Sequence, residues 1–204
     1  MSTPCTLVLG THNAKKGREL AGLLAPHGLS LKTLADCDDP ITVVEDGDTF
    51  VANATKKATE QAVHLGQWVL GEDSGLSVDA LGGAPGVYSA RYSGENADDE
   101  SNNRHLLAEL GDLPITKRTA GYTCYMVLSN PAGKVQAESC GMCRGRIRKE
   151  PVGDTGFGYD PLFEVIEYHR TFAELGDTVK AMLSHRGRAM RQMVAAIKKL
   201  RREG

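Results

Sequence analysis

The sequence predicts an α/β fold: a mixed, twisted sheet with flanking helices. Three observations carry this. Apolar runs of strand length alternate with helical spacing in the N-terminal third, the stretch from Thr119 to Lys149 has strand chemistry with no helix inside it, and the chain ends in a long amphipathic segment. Thr6 to Leu9 is a short apolar run closing at Gly10, and Leu20, Leu23 and Leu24 follow at helical spacing, which gives strand, loop, helix. Thr49 has N-cap chemistry ahead of Phe50-Val51-Ala52-Asn53-Ala54, the start of a second helix running towards Leu65. Trp68-Val69-Leu70 reads as a buried strand, and six glycines in the 24 residues from Gly71 to Gly94 predict loops after it. Asp98 to Leu110, acidic in its first turn and followed by Gly111, reads as an exposed helix. Thr119 to Leu128 is a strand, with Lys134 to Glu138 and then Cys143 to Lys149 pairing as a meander. Gly153 to Pro161 is a glycine-rich loop, Thr171-Phe172-Ala173-Glu174 fits a capping box, and Ser184 caps a terminal helix carrying Met190, Val194 and Ile197 near heptad spacing. Neither an internal repeat nor a polar linker interrupts the chain, so residues 1–204 are taken as one domain.

Composition excludes several classes. With 41% hydrophobic and 25% charged residues in 204, the chain has the makeup of a globular domain and not of a disordered one. No unbroken apolar run is longer than Cys124 to Leu128, far short of the roughly 20 residues that cross a bilayer. The first ten residues lack the basic start and apolar core of a secretory signal. Five cysteines, an odd number, fit free thiols in a reducing, cytoplasmic setting. A net charge of −2 advertises no nucleic-acid or membrane partner, but it is a cancellation: from Lys180 to Gly204 eight Lys and Arg meet a single Glu. Cys140-Gly141-Met142-Cys143 lacks the second ligand pair of a zinc site and does not open a helix as a redox motif would.

Five segments carry candidate chemistry. Thr11-His12-Asn13-Ala14-Lys15-Lys16 lies where the first helix begins, and reads either as a phosphate cradle or as an ordinary helix start with solvated lysines. Glu45-Asp46-Gly47-Asp48 precedes Asn53 and Lys57, which are four apart and so share one helix face; a converging pair and a solvated pair both stay open. Glu72-Asp73-Ser74-Gly75 places adjacent carboxylates at a strand end, suited to Mg²⁺ or to polarising a water, or simply polar. In Gly156-Phe157-Gly158-Tyr159-Asp160-Pro161 the aromatics alternate with glycine, as in a loop that stacks on a base, although such rings are also core material. Lys180 and Ser184-His185-Arg186 would suit a phosphate or a purine carbonyl, or a solvated basic surface.

Taken in this order, the segments resemble the non-canonical purine nucleoside triphosphate pyrophosphatases, the inosine triphosphatase or XTP/dITP diphosphatase family. The most specific stretches are Glu45 to Ala58, Asp73 through Tyr92, Gly156 to Pro161 and Ser184-His185-Arg186. The resemblance implies a two-lobed α/β fold around a central cleft, a homodimer, and Mg²⁺-dependent hydrolysis of ITP, XTP and dITP to the monophosphate and pyrophosphate. It implies that Thr11, Asn13 and Lys16, with Lys57, contact the triphosphate, His12, Ala14 and Lys15 completing that segment. By the same carry-over Asp73 activates water and helps hold Mg²⁺, Glu45 is a second metal-side carboxylate beside Glu72, and Ser74 touches substrate. Phe157 would stack on the base, Gly158, Tyr159 and Asp160 would complete that wall, and Lys180, His185 and Arg186 would read the 6-oxo purine. Two positions depart from the family pattern: His12 stands where glycine is usual, and Glu72 where Asp is common. The alternatives are a nucleotide pyrophosphatase with another base preference and a nucleotide-binding module without turnover.

Overall fold

The architecture is described from a computed structural model, which defines residues 6–203. Its elements are β1 (Thr6–Leu9), α1 (Ala14–Leu24), β2 (Ser30–Lys32), α2 (Phe50–Leu65), β3 (Val69–Val78), α3 (Asp99–Leu110), β4 (Thr119–Ser129), β5 (Val135–Ile147), β6 (Phe163–Val165), β7 (Arg170–Thr171), α4 (Phe172–Leu183) and α5 (His185–Glu203). Seven strands form one sheet in the order β2-β1-β3-β4-β5-β6-β7. It is mixed, as expected: β1 runs parallel to β2 and β3, whereas β5, β6 and β7 are antiparallel neighbours. The described residues divide into two compact units, one of residues 6–73, 124–141 and 186–203, the other of residues 74–123 and 142–185.

In the first unit the period-two alternation of β1 explains the layering. Leu7 and Leu9 point to one face, where Leu20 and Leu24 of α1 and Met190, Met193, Val194 and Ile197 of α5 bury them. Val8 points the other way and meets Ala62 of α2 together with Val69. A parallel strand covered on both faces is nearly all apolar, which is how the sequence of β1 reads. Thr49 caps α2 by accepting the Ala52 N–H, and Asn13 caps α1 by accepting from Lys15 and Lys16.

The second unit packs Leu76 and Val78, Leu106 and Leu110 of α3, Tyr122, Phe163 and Phe172 into its own core. Stacked or tilted ring pairs run through it, Tyr122 with Phe163 at 4.8 Å and Phe163 with Phe172 at 5.2 Å between centroids. The capping box at Thr171 and Glu174 is present. Ser184 stands at the junction of the last two helices, its N–H closing α4 on the Lys180 carbonyl directly before α5 begins.

Two expectations need correction. The strand expected at Trp68-Val69-Leu70 begins at Val69 and continues to Val78, so Glu72 and Asp73 lie inside it and not at its end. Glycine misled here because Gly71 serves a close approach and not a turn: a Cβ at that position would lie 2.1 Å from the Ala54 carbonyl oxygen of α2. Likewise β5 is unbroken where two strands were expected. Ser139, Gly141, Cys143, Gly145 and Ile147 alternate inward along it, but the inward residues are small and hid the period. The short strands β2, β6 and β7 carry no sequence signal that distinguishes them from loops. Cys37, Cys124, Cys140 and Cys143 are free thiols; Cys5 lies outside the described residues.

Candidate active site

The closeness forced by Gly71 puts Asp73 of β3 directly against α2. Asn53 and Lys57, one turn apart on that helix, both reach it: Asn53 Nδ2 donates to Oδ2 at 3.2 Å and Lys57 Nζ to Oδ1 at 3.1 Å. Of the two readings left open for that helix face, the solvated pair does not hold: both side chains meet one buried carboxylate. Lys57 Nζ also donates to Glu45 Oε2 at 2.8 Å, so one buried ammonium bridges a buried carboxylate and a partly exposed one. Asn53 Oδ1 accepts from the Gly47 N–H at 2.8 Å, which fastens the acidic turn carrying Glu45 to the helix. Burial raises the Asp73 carboxyl above its ordinary value, and the opposing pull of Lys57 and Lys16 does not cancel this. Burial alone would lower the Lys57 ammonium, but Asp73 and Glu45 outweigh it and hold the charge on.

Glu72, next on the strand, points away into a separate network and is fully buried. Lys16 Nζ donates to its Oε2 at 2.8 Å, while Arg186 donates to Oε1 from Nε at 3.2 Å and Nη2 at 3.1 Å. The Arg186 Nη1 donates to Glu19 Oε2 at 2.8 Å, and the Cys124 thiol lies 3.5 Å from Glu72 Oε1. Burial alone would push the Glu72 carboxyl up, yet Lys16 and Arg186 outweigh it and keep it well below the carboxylate range. For Cys124 burial and the neighbouring carboxylate act in the same direction, and the thiol is raised well above its usual value. At the start of α1 the Asn13 side chain accepts from the Lys15 and Lys16 N–H groups at 3.0 and 3.1 Å, and Thr11 Oγ1 accepts the Asn13 N–H. His12, Ala14 and Lys15 are exposed.

The second unit holds the other group. Asp160, buried, accepts at Oδ2 from the Phe157 N–H at 2.8 Å and from Lys180 Nζ at 2.6 Å. Lys180 Nζ also lies 4.2 Å from the Phe157 ring centroid, a cation–π contact. Gly156 has φ +79, and a Cβ there would lie 2.2 Å from Asp160 Oδ2, so loop shape and carboxylate position depend on one another. Gly158 is tied to α3 by a bond from Asn103 Nδ2 to its carbonyl at 2.9 Å. Tyr159 is buried and donates to the Ser89 carbonyl at 2.8 Å, burial raising its hydroxyl. His185 stacks on Tyr122, 4.5 Å apart and 7° from parallel. Ser74 follows Asp73 on β3 and is half-buried.

Thus Asp73, Lys57 and Glu45 come together in the first unit, Lys16, Glu72 and Arg186 form a second network there, and Phe157, Asp160 and Lys180 gather in the second unit. Arg186, grouped by its sequence position with His185, is placed with Glu72 and Glu19. Glu19 escaped notice although it lies three residues after Lys16, on the same helix face. Tyr122 looked like any strand aromatic.

This arrangement accompanies close likeness to known proteins. A curated dITP/XTP pyrophosphatase of Rhodopirellula baltica is 57% identical over 194 residues, 95% of this chain and 93% of the relative. One of Geobacter sulfurreducens, with the same description, is 50% identical over 184 residues, covering 90% and 92% of the two chains. Among solved structures, the Ham1 protein of Staphylococcus aureus superposes with TM-score 0.83 at 34% identity, covering 95% of this chain and 98% of its own. That of Coxiella burnetii gives 0.84 at 35%, with the same coverage. The Ham1 family model matches residues 7–196, which include every site residue described above, and the chain belongs to the Ham1 family.

Proposed function

We propose that this protein hydrolyses non-canonical purine nucleoside triphosphates, ITP, XTP and dITP, to the monophosphate and pyrophosphate. The observation that carries the mechanism is the Asp73 carboxylate, buried, raised, and fixed at both oxygens by Asn53 and Lys57. A carboxyl raised by burial is a better proton acceptor near neutral pH than a solvated one. Asp73 orients a water and takes its proton as the water oxygen bonds to phosphorus; the phosphoanhydride bond between the α- and β-phosphates breaks and the electron pair leaves with pyrophosphate. Lys57 and Lys16 offset charge developing on the phosphate oxygens, and Thr11 and Asn13 line the same segment.

Mg²⁺ fits the donor set. Glu45 and Asp73 offer hard carboxylate oxygens that already meet at one cation, the Lys57 ammonium. Among the described residues no group of three or more His, Cys, Asp or Glu side chains forms a metal cage, so phosphates and waters would complete the coordination, as is usual for this ion. When bound, Mg²⁺ supplies charge neutralisation on the phosphates. Glu72 is spent on Lys16 and Arg186 and supports the site from behind.

In the second unit Phe157 offers a ring for base stacking, with Gly158, Tyr159 and Asp160 shaping its loop. Lys180 and His185 supply the donors for a 6-oxo group. An adenine amino group at that position leaves such donors opposed, which is the basis for rejecting ATP. No helix among the described residues is long and apolar enough to cross a membrane. A cytoplasmic site of action on free nucleotides, one domain spanning the chain, and a homodimer complete the reading; light scattering of the purified chain tests the last. Pyrophosphate release from ITP, XTP, dITP, GTP and dTTP, with and without Mg²⁺, tests the whole. Strong preference for the first three with the metal is expected. Equal rates with ITP and GTP refute the assigned specificity, and binding of ITP without turnover refutes the activity.

A further inference from the structure

A cavity of about 640 Å³ in the second unit is lined by none of the three groups described above. Its wall is basic: Arg146, Arg148 and Lys149 outnumber Glu150 and Glu164. The arginines are held from below. Glu164 of β6 pairs in register with Arg146 of β5 and is only 3% exposed, with Oε1 at 2.6 Å from Arg146 Nη2 and Oε2 at 3.5 Å from Arg148 Nη1. One buried carboxylate thus fixes two guanidinium groups whose side chains remain a quarter and a third exposed. Arg146 Nε is buried and has no hydrogen-bond partner among the described residues, a donor left for a water or an entering acceptor. His169, at φ 51 in the left-handed region, brings its Nδ1 to 3.9 Å from the same carboxylate at the cavity edge.

We propose that this cavity is a binding site for a phosphate-type oxyanion, separate from the site of hydrolysis and independent of the function proposed above. Planar guanidiniums present paired N–H groups matched to phosphate oxygens, and the exposed Lys149 adds an ammonium. Holding Arg146 and Arg148 on a buried acid lowers the entropy lost when they bind. Glu164 and Glu150 offset two of the three cations, and the remaining positive charge leaves the site attractive to an anion without making it a bare repulsive cluster.

The test is an NMR titration of the isotope-labelled full chain with inorganic phosphate, pyrophosphate and AMP at constant ionic strength. The expected result is saturable shifts of the 146–149 and 169 amides, half-complete below about 10 mM, an affinity ordinary for a small anion. Equal response to phosphate and AMP assigns the site to a phosphoryl group alone; tighter AMP binding assigns it to a nucleotide. Arg148→Ala with Lys149→Ala retains Arg146 on Glu164 and should abolish these shifts, with unchanged thermal stability and unchanged pyrophosphate release from ITP. Absence of saturable shifts, shifts reproduced by sodium chloride alone, or shifts that persist in the double variant would each overturn the proposal.

Discussion

Replacing Arg186 by Met tests the buried network behind the site. Arg186 is 2% exposed and donates three hydrogen bonds to two carboxylates. After the change Glu19, whose side chain is 15% exposed, can turn to water, whereas Glu72 at 0% cannot and keeps Lys16 as its one cation in contact. Leaving a buried charge half-compensated costs about 3–5 kcal/mol, which for a chain of this length lowers the melting temperature by roughly 6–20 °C. The pH dependence identifies the cause. Because the folded Glu72 carboxyl lies well below its unfolded value near 4.5, its stabilisation is complete above that value and is lost as pH falls through the folded value. In Arg186→Met the folded carboxyl rises, the variant takes up its proton earlier, and the stability gap between the two proteins narrows on acidification. Urea unfolding at about pH 7 and near pH 4.5, with Glu72→Gln and the double variant completing a cycle, gives all three quantities. A coupling above about 1 kcal/mol is expected. A loss under about 1 kcal/mol that does not change with pH would refute the network.

Gly71→Ala should damage fold and site together. Its Cβ would sit 2.1 Å from the Ala54 oxygen and 2.7 Å from the Ala58 nitrogen, backbone atoms that cannot move alone, so the variant is expected to lose more than about 2 kcal/mol of stability and most turnover; a normal melting temperature contradicts the packing described. Phe157→Ala removes the proposed stacking surface, worth about 1–3 kcal/mol per base, so KM for ITP should rise roughly 5- to 150-fold with kcat nearly unchanged. A fall in kcat at constant KM would place Phe157 elsewhere in the reaction.

The sequence shows some of this directly and conceals the rest for physical reasons. Helix starts were legible because their chemistry is local: Thr49, Asp98 and Thr171 each cap with a side chain that bonds within three residues. The shared face of Asn53 and Lys57 was legible too, since helical periodicity alone sets it. Their shared contact was not legible, because Asp73 lies 16 residues from Lys57 and is brought there by the Gly71 contact. Glycine density is ambiguous between turns and close approaches, and at Gly71 the second applies. The partner of Arg186 is 114 residues away, and no local count of charges could distinguish a buried counter-ion from a solvated basic surface. The long inward run of small residues in β5 hid its continuity for a related reason: a strand packed tightly against Phe163 through Gly145 needs little side chain.

Asp73→Asn, assayed for pyrophosphate release from ITP and for ITP binding in the same preparation, tests the proposed role of this carboxylate most directly. The amide keeps the shape and a hydrogen-bond acceptor for Lys57 but cannot take a proton from water. Binding within a few-fold of the unaltered protein with turnover reduced about 100-fold or more is expected. Near-normal turnover would remove Asp73 from the chemistry and contradict the account.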